Sequence, residues 1–164
     1  MSVDLRVLGV PAPQGSKTRM PNGALVEGGS ATGRAKHRAW RTAVAEAAAH
    51  AMTTRDAPLD GPLQLAVEFR LPRPASARKG KHWADRKPDL SKLLRSTEDG
   101  LTDGGLIADD ARICYISASK QLADPSDPWT GAVIRLTAFD DRDAYAAADE
   151  IKRLRRVTDR WRDA

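Results

Sequence analysis

The chain has 164 residues, of which 41% are hydrophobic and 30% charged, and its formal net charge is +5. These values are typical of one globular domain with a buried core and exclude a disordered chain. No apolar run approaches the roughly 18 residues of a membrane span, no signal peptide is evident, and the single Cys114 excludes an internal disulfide. We therefore expect a cytoplasmic protein that does not enter a membrane.

The first half of the chain predicts a strand, a long loop, a helix and a second strand. Val3, Leu5 and Val7 alternate with polar residues and indicate a strand over residues 3–10, which prolines close. A loop containing Gly, Ser and Lys follows over residues 14–33. An Ala-rich stretch with Trp40 on its apolar stripe predicts a helix over residues 35–52. The alternation in L-Q-L-A-V-E-F-R-L predicts a strand over residues 63–71.

The second half predicts a basic loop over residues 75–87 and then a helix over residues 89–102. Asp89 stands at the N-cap position of this helix, directly before its first apolar residue. Two strands follow over residues 112–122 and 132–139, and a charged helix over residues 141–162. The order β-α-β-α-β-β-α predicts an α+β domain with helices packed against a mixed sheet, over residues 1–140. The terminal residues 141–164 belong to the same domain or form a dimer contact.

Positive charge is concentrated in two segments. Residues 70–95 contain nine Lys or Arg and only Asp85 and Asp89, while residues 14–41 contain six basic residues and Glu27. Such clustering is expected of a surface that binds a phosphate backbone, although a merely solvated basic surface is the simpler alternative. The candidate DNA-binding residues are Lys17, Arg19, Arg78, Lys79, Lys81, Lys87 and Lys92.

Carboxylates lie among these basic residues between Lys87 and Asp110. Oxygen ligands hold a hard cation such as Mg²⁺, and basic side chains hold the phosphate that the cation polarises. The pattern therefore favours a phosphodiester-cleaving site. Asp-Asp and Asp-Gly pairs also occur in ordinary turns, and Asp89 alone would be read as a helix cap.

The segment K-P-D-L-S-K-L-L-R-S-T-E-D-G-L, followed by D-D-A-R-I, resembles the RusA family of Holliday-junction resolvases. The family pattern is roughly K/R-P-D-x-D-N-L-x-K-x-x-x-D-A-L, then D-D-x-x-V and a strand ending in Lys. The opening V-L-G-V-P-A-P-Q-G-S-K is also similar to the family's first strand and loop, so the resemblance covers about residues 3–139. The matching positions are Asp89, Leu93, Asp99, Leu101, Asp109, Asp110 and Lys120.

The resemblance implies a homodimer, often encoded by phages, that binds four-way DNA junctions. It implies symmetric cleavage with Mg²⁺, for which Mn²⁺ substitutes. The family's metal ligands fall on Asp89 and Asp110, but its second aspartate falls on Ser91 and its essential lysine on Arg95. Arginine keeps the positive charge but does not readily donate a proton.

Two carboxylates, waters and substrate phosphate can still hold Mg²⁺, but serine is a neutral and weaker ligand, so other acids could substitute for the lost charge. Glu98 lies seven residues after Ser91 on nearly the same helix face, and Asp99 follows it. Our hypothesis is a metal site of Asp89, Asp110, Asp109 and Asp99, with Asp89, Asp110, Arg95 and Lys120 as the catalytic residues.

Several alternatives stay open at this point. Asp99 could pair with Arg95 at the i,i+4 spacing, and Lys120 could be an exposed lysine at a strand end. Trp83 could stack on a base at a branch point or pack into the domain. For the function, a branched-DNA-binding protein without cleavage and a basic structural adaptor compete with the nuclease.

Overall fold

The computed structural model describes residues 2–15, 17–19, 23–27 and 30–139. Within these ranges the predicted α+β domain is confirmed, and the predicted helix over residues 141–162 lies outside them. The elements in chain order are β1 (Ser2–Leu8), β2 (Lys17–Arg19), β3 (Leu25–Glu27), α1 (Ala31–Met52), β4 (Leu63–Leu71), α2 (Leu90–Asp103), β5 (Ile113–Leu122) and β6 (Gly131–Ala138). No helix in the described part of the chain is long and apolar enough to cross a membrane.

A four-stranded mixed sheet forms the centre of the domain, in the order β1-β6-β4-β5. β4 is parallel to β5 and antiparallel to β6, which also pairs antiparallel with β1. The predicted alternation in β4 is observed, because its residues at 63, 65, 67, 69 and 71 are at most 5% exposed. Every second side chain of β4 therefore points into the core beneath the helices.

A short hairpin of β2 and β3 lies in the segment that the sequence predicted to be a loop. Each strand has three residues, which is too short for an alternating pattern to be recognised. The order over the described residues therefore contains two more strands than predicted.

The two helices pack against each other at unusually close range. A Cβ atom added to Gly104 would lie 2.4 Å from the backbone oxygen of Ala45, and one added to Gly100 would lie 2.8 Å from Cβ of Val44. No side chain larger than hydrogen fits there without a shift. Across the same contact, Trp40 Nε1 donates a hydrogen bond to Thr97 Oγ1 at 3.2 Å.

The helix starts follow local capping. α1 begins four residues earlier than predicted, because Ser30 Oγ accepts a hydrogen bond from the Gly33 backbone N–H at 3.1 Å. α2 begins at Leu90 with Asp89 as its N-cap residue, within one residue of the prediction. Since β4 and β5 are parallel and α2 connects them, the start of α2 lies near the carboxyl ends of both strands.

Candidate active site

Asp89 occupies the N-cap position of α2 without using its side chain as a cap. Its backbone is extended, with φ −69° and ψ 136°, and its carboxylate makes no capping hydrogen bond. The side chain is 56% exposed, and Lys92 Nζ lies 4.0 Å from its Oδ2. The carboxylate of Asp89 is therefore available to a ligand, which a plain helix cap would not be.

Lys120 is held directly beneath the start of α2. Its Nζ donates hydrogen bonds to the backbone oxygens of Arg86 at 2.6 Å and Pro88 at 2.7 Å. Lys120 pairs with Phe69 in the β5–β4 register, which directs it to the helix-covered side of the sheet. These two bonds fix an ammonium group beside the chain segment that carries Asp89, so Lys120 is not a free lysine at a strand end.

A second group of acids consists of Glu98, in the middle of α2, and Asp110, which precedes β5. Burial is the main cause that raises the pKa of Glu98, and repulsion from Asp110 and Asp99 adds to it, while Arg95 acts in the opposite direction. Glu98 and Asp110 are thus close enough for each charge to affect the other. The sequence suggested Glu98 only as a substitute for the missing ligand at Ser91, and the pKa shift now points to it directly.

Asp99 lies on a different side of α2, toward α1. Its Oδ2 accepts hydrogen bonds from Gln14 Nε2 at 3.0 Å and from Arg41 Nη1 at 3.3 Å. Arg41 also pairs with Asp103, whose Oδ1 accepts from Arg41 Nη2 at 2.8 Å. The Arg95–Asp99 pair considered from the sequence is replaced by this link, which ties α2 to α1.

Asp109 and Asp110 differ although they are neighbours. Oδ1 of Asp109 accepts a hydrogen bond from the Ala111 backbone N–H at 2.8 Å and caps a 3₁₀ turn, Asp110–Arg112. Asp110 is the first residue of that turn, is exposed, and contributes to the pKa shift of Glu98. Of the two, Asp110 is the one whose charge raises the pKa of Glu98.

The remaining candidate acids form two groups, Asp89 at the start of α2 and Glu98 with Asp110 farther along it. At about 1.5 Å per residue, Asp89 and Glu98 are about 13 Å apart along the axis of α2. Within the described ranges, no three His, Cys, Asp or Glu side chains are arranged to hold a metal ion. Mg²⁺ commonly binds through one or two carboxylates together with waters and substrate phosphate, so a set of three acids is not required.

Basic residues from distant parts of the chain line a groove of about 1120 Å³ next to Asp89. Of the predicted DNA-binding residues, Arg78, Lys81, Lys87 and Lys92 line it. Arg34, Lys36 and Arg86 also line the groove and were not among the predicted DNA-binding residues. The first two belong to α1, so their proximity to the basic loop depends on tertiary structure.

Lys79 and Trp83 line a shallow pocket that adjoins the groove and shares Arg78, Lys81 and Asp85 with it. Trp83 is 59% exposed, and its ring lies edge-on to that of His82, with 4.8 Å between the ring centroids. Exposure on this scale is not that of a core tryptophan, and it leaves the indole available for stacking. Lys17 and Arg19 lie in β2.

The fold and these groups define a small α+β protein with acids on and near α2, a lysine fixed beneath its start, and a cationic groove beside it. A family model described as endodeoxyribonuclease RusA matches residues 11–134, which is more than half of the chain. The chain belongs to the RusA family, and the resemblance predicted from its motifs is confirmed. It is therefore an endodeoxyribonuclease by family and acts on DNA. A search of curated proteins found no match.

Proposed function

We propose that this protein is a Mg²⁺-dependent, structure-selective endodeoxyribonuclease that resolves four-way DNA junctions. The family match over residues 11–134 is the observation that carries this proposal. It is supported by the carboxylates of Asp89, Glu98 and Asp110 and by the cations Arg95 and Lys120 on and near α2, since phosphodiester hydrolysis needs both.

Glu98 and Asp110 are the acids best suited to hold Mg²⁺, with Asp89 as a further candidate. Bound there, the ion would supply an activated water and polarise the phosphate. Asp99 and Asp109 are weaker candidates, because each already accepts hydrogen bonds within the protein.

Arg95 and Lys120 supply positive charge for the phosphate. Lys120 has three N–H donors, of which two are used by backbone oxygens, so one remains for a phosphate oxygen. Arg95 is exposed and lies beside Glu98, where it can balance charge that develops on the phosphate. Neither group has to deprotonate for this role.

A homodimer is part of the proposal. Two symmetric cuts in one junction require two copies of the site, and a two-fold dimer provides them in the matching orientation. Sedimentation analysis of the full chain at micromolar concentration tests this part, and a monomer bound to an intact junction would contradict it.

The main test uses a labelled synthetic four-way junction and a linear duplex of the same sequence, in Mg²⁺ and separately in Mn²⁺. We expect paired symmetric nicks in the junction alone, and loss of nicks in Asp110→Asn. Asp103→Asn is the matched control, because it removes an acid of α2 that is bound to Arg41. Tight junction binding without nicks in either metal would leave a non-catalytic junction-binding protein.

Ser91→Asp provides a second test of the metal site. Restoring the carboxylate of the family pattern adds a charged ligand next to Asp89, so we expect cleavage at lower Mg²⁺ concentration. Ser91 is exposed, so the substitution should not disturb the core. An unchanged Mg²⁺ dependence would exclude position 91 from the metal site.

A further inference from the structure

The groove beside Asp89 combines two kinds of surface. Its basic lining residues include Arg34, Lys36, Arg78, Arg86, Lys87 and Lys92. Among the described residues, Asp85 is the one acid that lines it, and it accepts a hydrogen bond from Lys81 at 2.6 Å. Basic side chains therefore outnumber acids in the described lining, and the occupant should be an anion.

The remaining surface of the groove is mainly apolar and rigid. Five prolines line it, namely Pro11, Pro13, Pro72, Pro74 and Pro88. Flat apolar surface of this kind suits the faces of nucleic-acid bases, which are exposed only where the strand is unpaired. A duplex presents sugars and phosphates on its outside, so it would leave this surface unused.

The size of the groove points to the same occupant. A volume of about 1120 Å³ is close to the upper end of small-molecule pockets, which hold a ligand of a few rings rather than a double helix. A duplex has to lie across the surface, whereas a few nucleotides of one strand fit inside.

The position of the groove connects it to the candidate active site. Lys87, Pro88 and Lys92 line it, and Asp89 lies between Pro88 and Lys92 in the chain. The Pro88 backbone oxygen also accepts a hydrogen bond from Lys120. This part of the groove is therefore next to Asp89 in the chain and is hydrogen-bonded to Lys120.

We propose that this groove binds a short single-stranded segment of DNA, with phosphates on the basic residues and bases on the apolar surface. The inference rests on the proposed function to the extent that DNA is the substrate. It adds that the enzyme engages unpaired nucleotides, which a branch point supplies at little energetic cost because its stacking is already interrupted.

Binding of a fluorescein-labelled thymidine octamer, followed by anisotropy in EDTA and low salt, tests the proposal without cleavage. Lys36→Glu and Arg86→Glu should each weaken binding by about tenfold, because each reverses a charge at the phosphate path. The control is Arg38→Glu, which changes an exposed residue of α1 that lines a different, shallow pocket. It should stay within about twofold of the unmodified protein.

An abasic octamer with the same backbone distinguishes binding of bases to the apolar surface from attraction of phosphates to the basic residues. The thymidine octamer should bind at least about fivefold more tightly, the factor that about 1 kcal/mol of base contact provides. Equal binding of the two octamers would overturn the proposal, as would equal losses in Arg38→Glu and Lys36→Glu.

The two proposals can fail separately. A protein that nicks junctions but binds the octamer without sensitivity to Lys36→Glu would lack the groove site and keep the proposed function. A protein that binds the octamer through the groove but never nicks a junction would lack the proposed function alone.

Discussion

Helix α2 carries two sets of acids that differ in what surrounds them. Asp99 and Asp103 lie toward α1, where Arg41 pairs with both. Glu98, next to Asp99 in the chain, lies beside Asp110, and the pKa of Glu98 is raised. The first set links two helices, whereas in the second the burial of Glu98 and the nearby acids oppose its ionisation more than Arg95 favours it. Acids left in that condition are candidates for binding and catalysis, because folding has not already neutralised them.

The largest expected effect is on cleavage by Asp110→Asn. Removing this charge should slow junction nicking by at least about 100-fold, the size of effect that loss of one electrostatic catalytic group produces. Asp110 is exposed and its charge opposes the ionisation of Glu98, so the melting temperature should not fall. Single-turnover nicking rates and melting curves would check both parts. A normal nicking rate would show that Asp110 is not a catalytic residue.

Arg41→Ala should lower the stability of the protein and leave its nicking rate unchanged. It removes the partner of Asp99 and Asp103, and the unfolding free energy should fall by about 1 kcal/mol, since the side chains are partly exposed and screened. Nicking per folded molecule should stay normal. Urea titration gives the stability change. If Arg41→Ala kept its stability but lost most of its nicking rate, Asp99 would be a catalytic residue.

Glu98→Gln should raise stability while it slows cleavage. Because the pKa of Glu98 is raised in the folded protein, its ionised form opposes folding at neutral pH, and this cost disappears below its ordinary value of 4.5. The gain should be below about 1 kcal/mol at pH 7, since the group is partly exposed. Urea titrations at neutral and acidic pH would check this, and a variant less stable than the parent at pH 7 contradicts it.

The smallest expected effect is the loss, at acidic pH, of the stability that Asp103 provides. The hydrogen bond from Arg41 lowers the pKa of Asp103, so its stabilisation is present above the ordinary value of 3.8 and is lost as pH falls through the lowered pKa. The melting temperature of the unmodified protein should therefore drop more steeply than that of Asp103→Asn between about pH 5 and about pH 2. Parallel curves would assign no stabilisation to this pair.

The regular elements could be predicted because their signals are local. The alternation of β4 and the apolar stripe of α2 are present in the sequence, and the start of α2 follows from Asp89 and Leu90. The β2–β3 hairpin could not be predicted, since three-residue strands give no period. The start of α1 was missed because Gly33 lowers helix propensity, and the Ser30 cap outweighs it.

The kinds of residue that form the candidate site could be predicted from the sequence, but their positions relative to one another could not. Glu98 and Asp99 are adjacent, and the sequence does not indicate which of them lies toward α1, where Arg41 is 58 residues from Asp99. The groove joins Lys36 in α1 with Arg86 after β4, and no local pattern links them. The assignment of the metal ligands stays a prediction.

The glycines at the contact between α1 and α2 have a consequence for how mutations in this protein are interpreted. Gly100 and Gly104 fix the rotation of α2 about its own axis, because only their side of the helix can lie this close to Val44 and Ala45. A substitution such as Gly104→Ala would turn or displace α2, and Glu98 would move with it. In a screen for activity, Gly104 would then be scored like a residue of the reaction centre, although it carries no functional group.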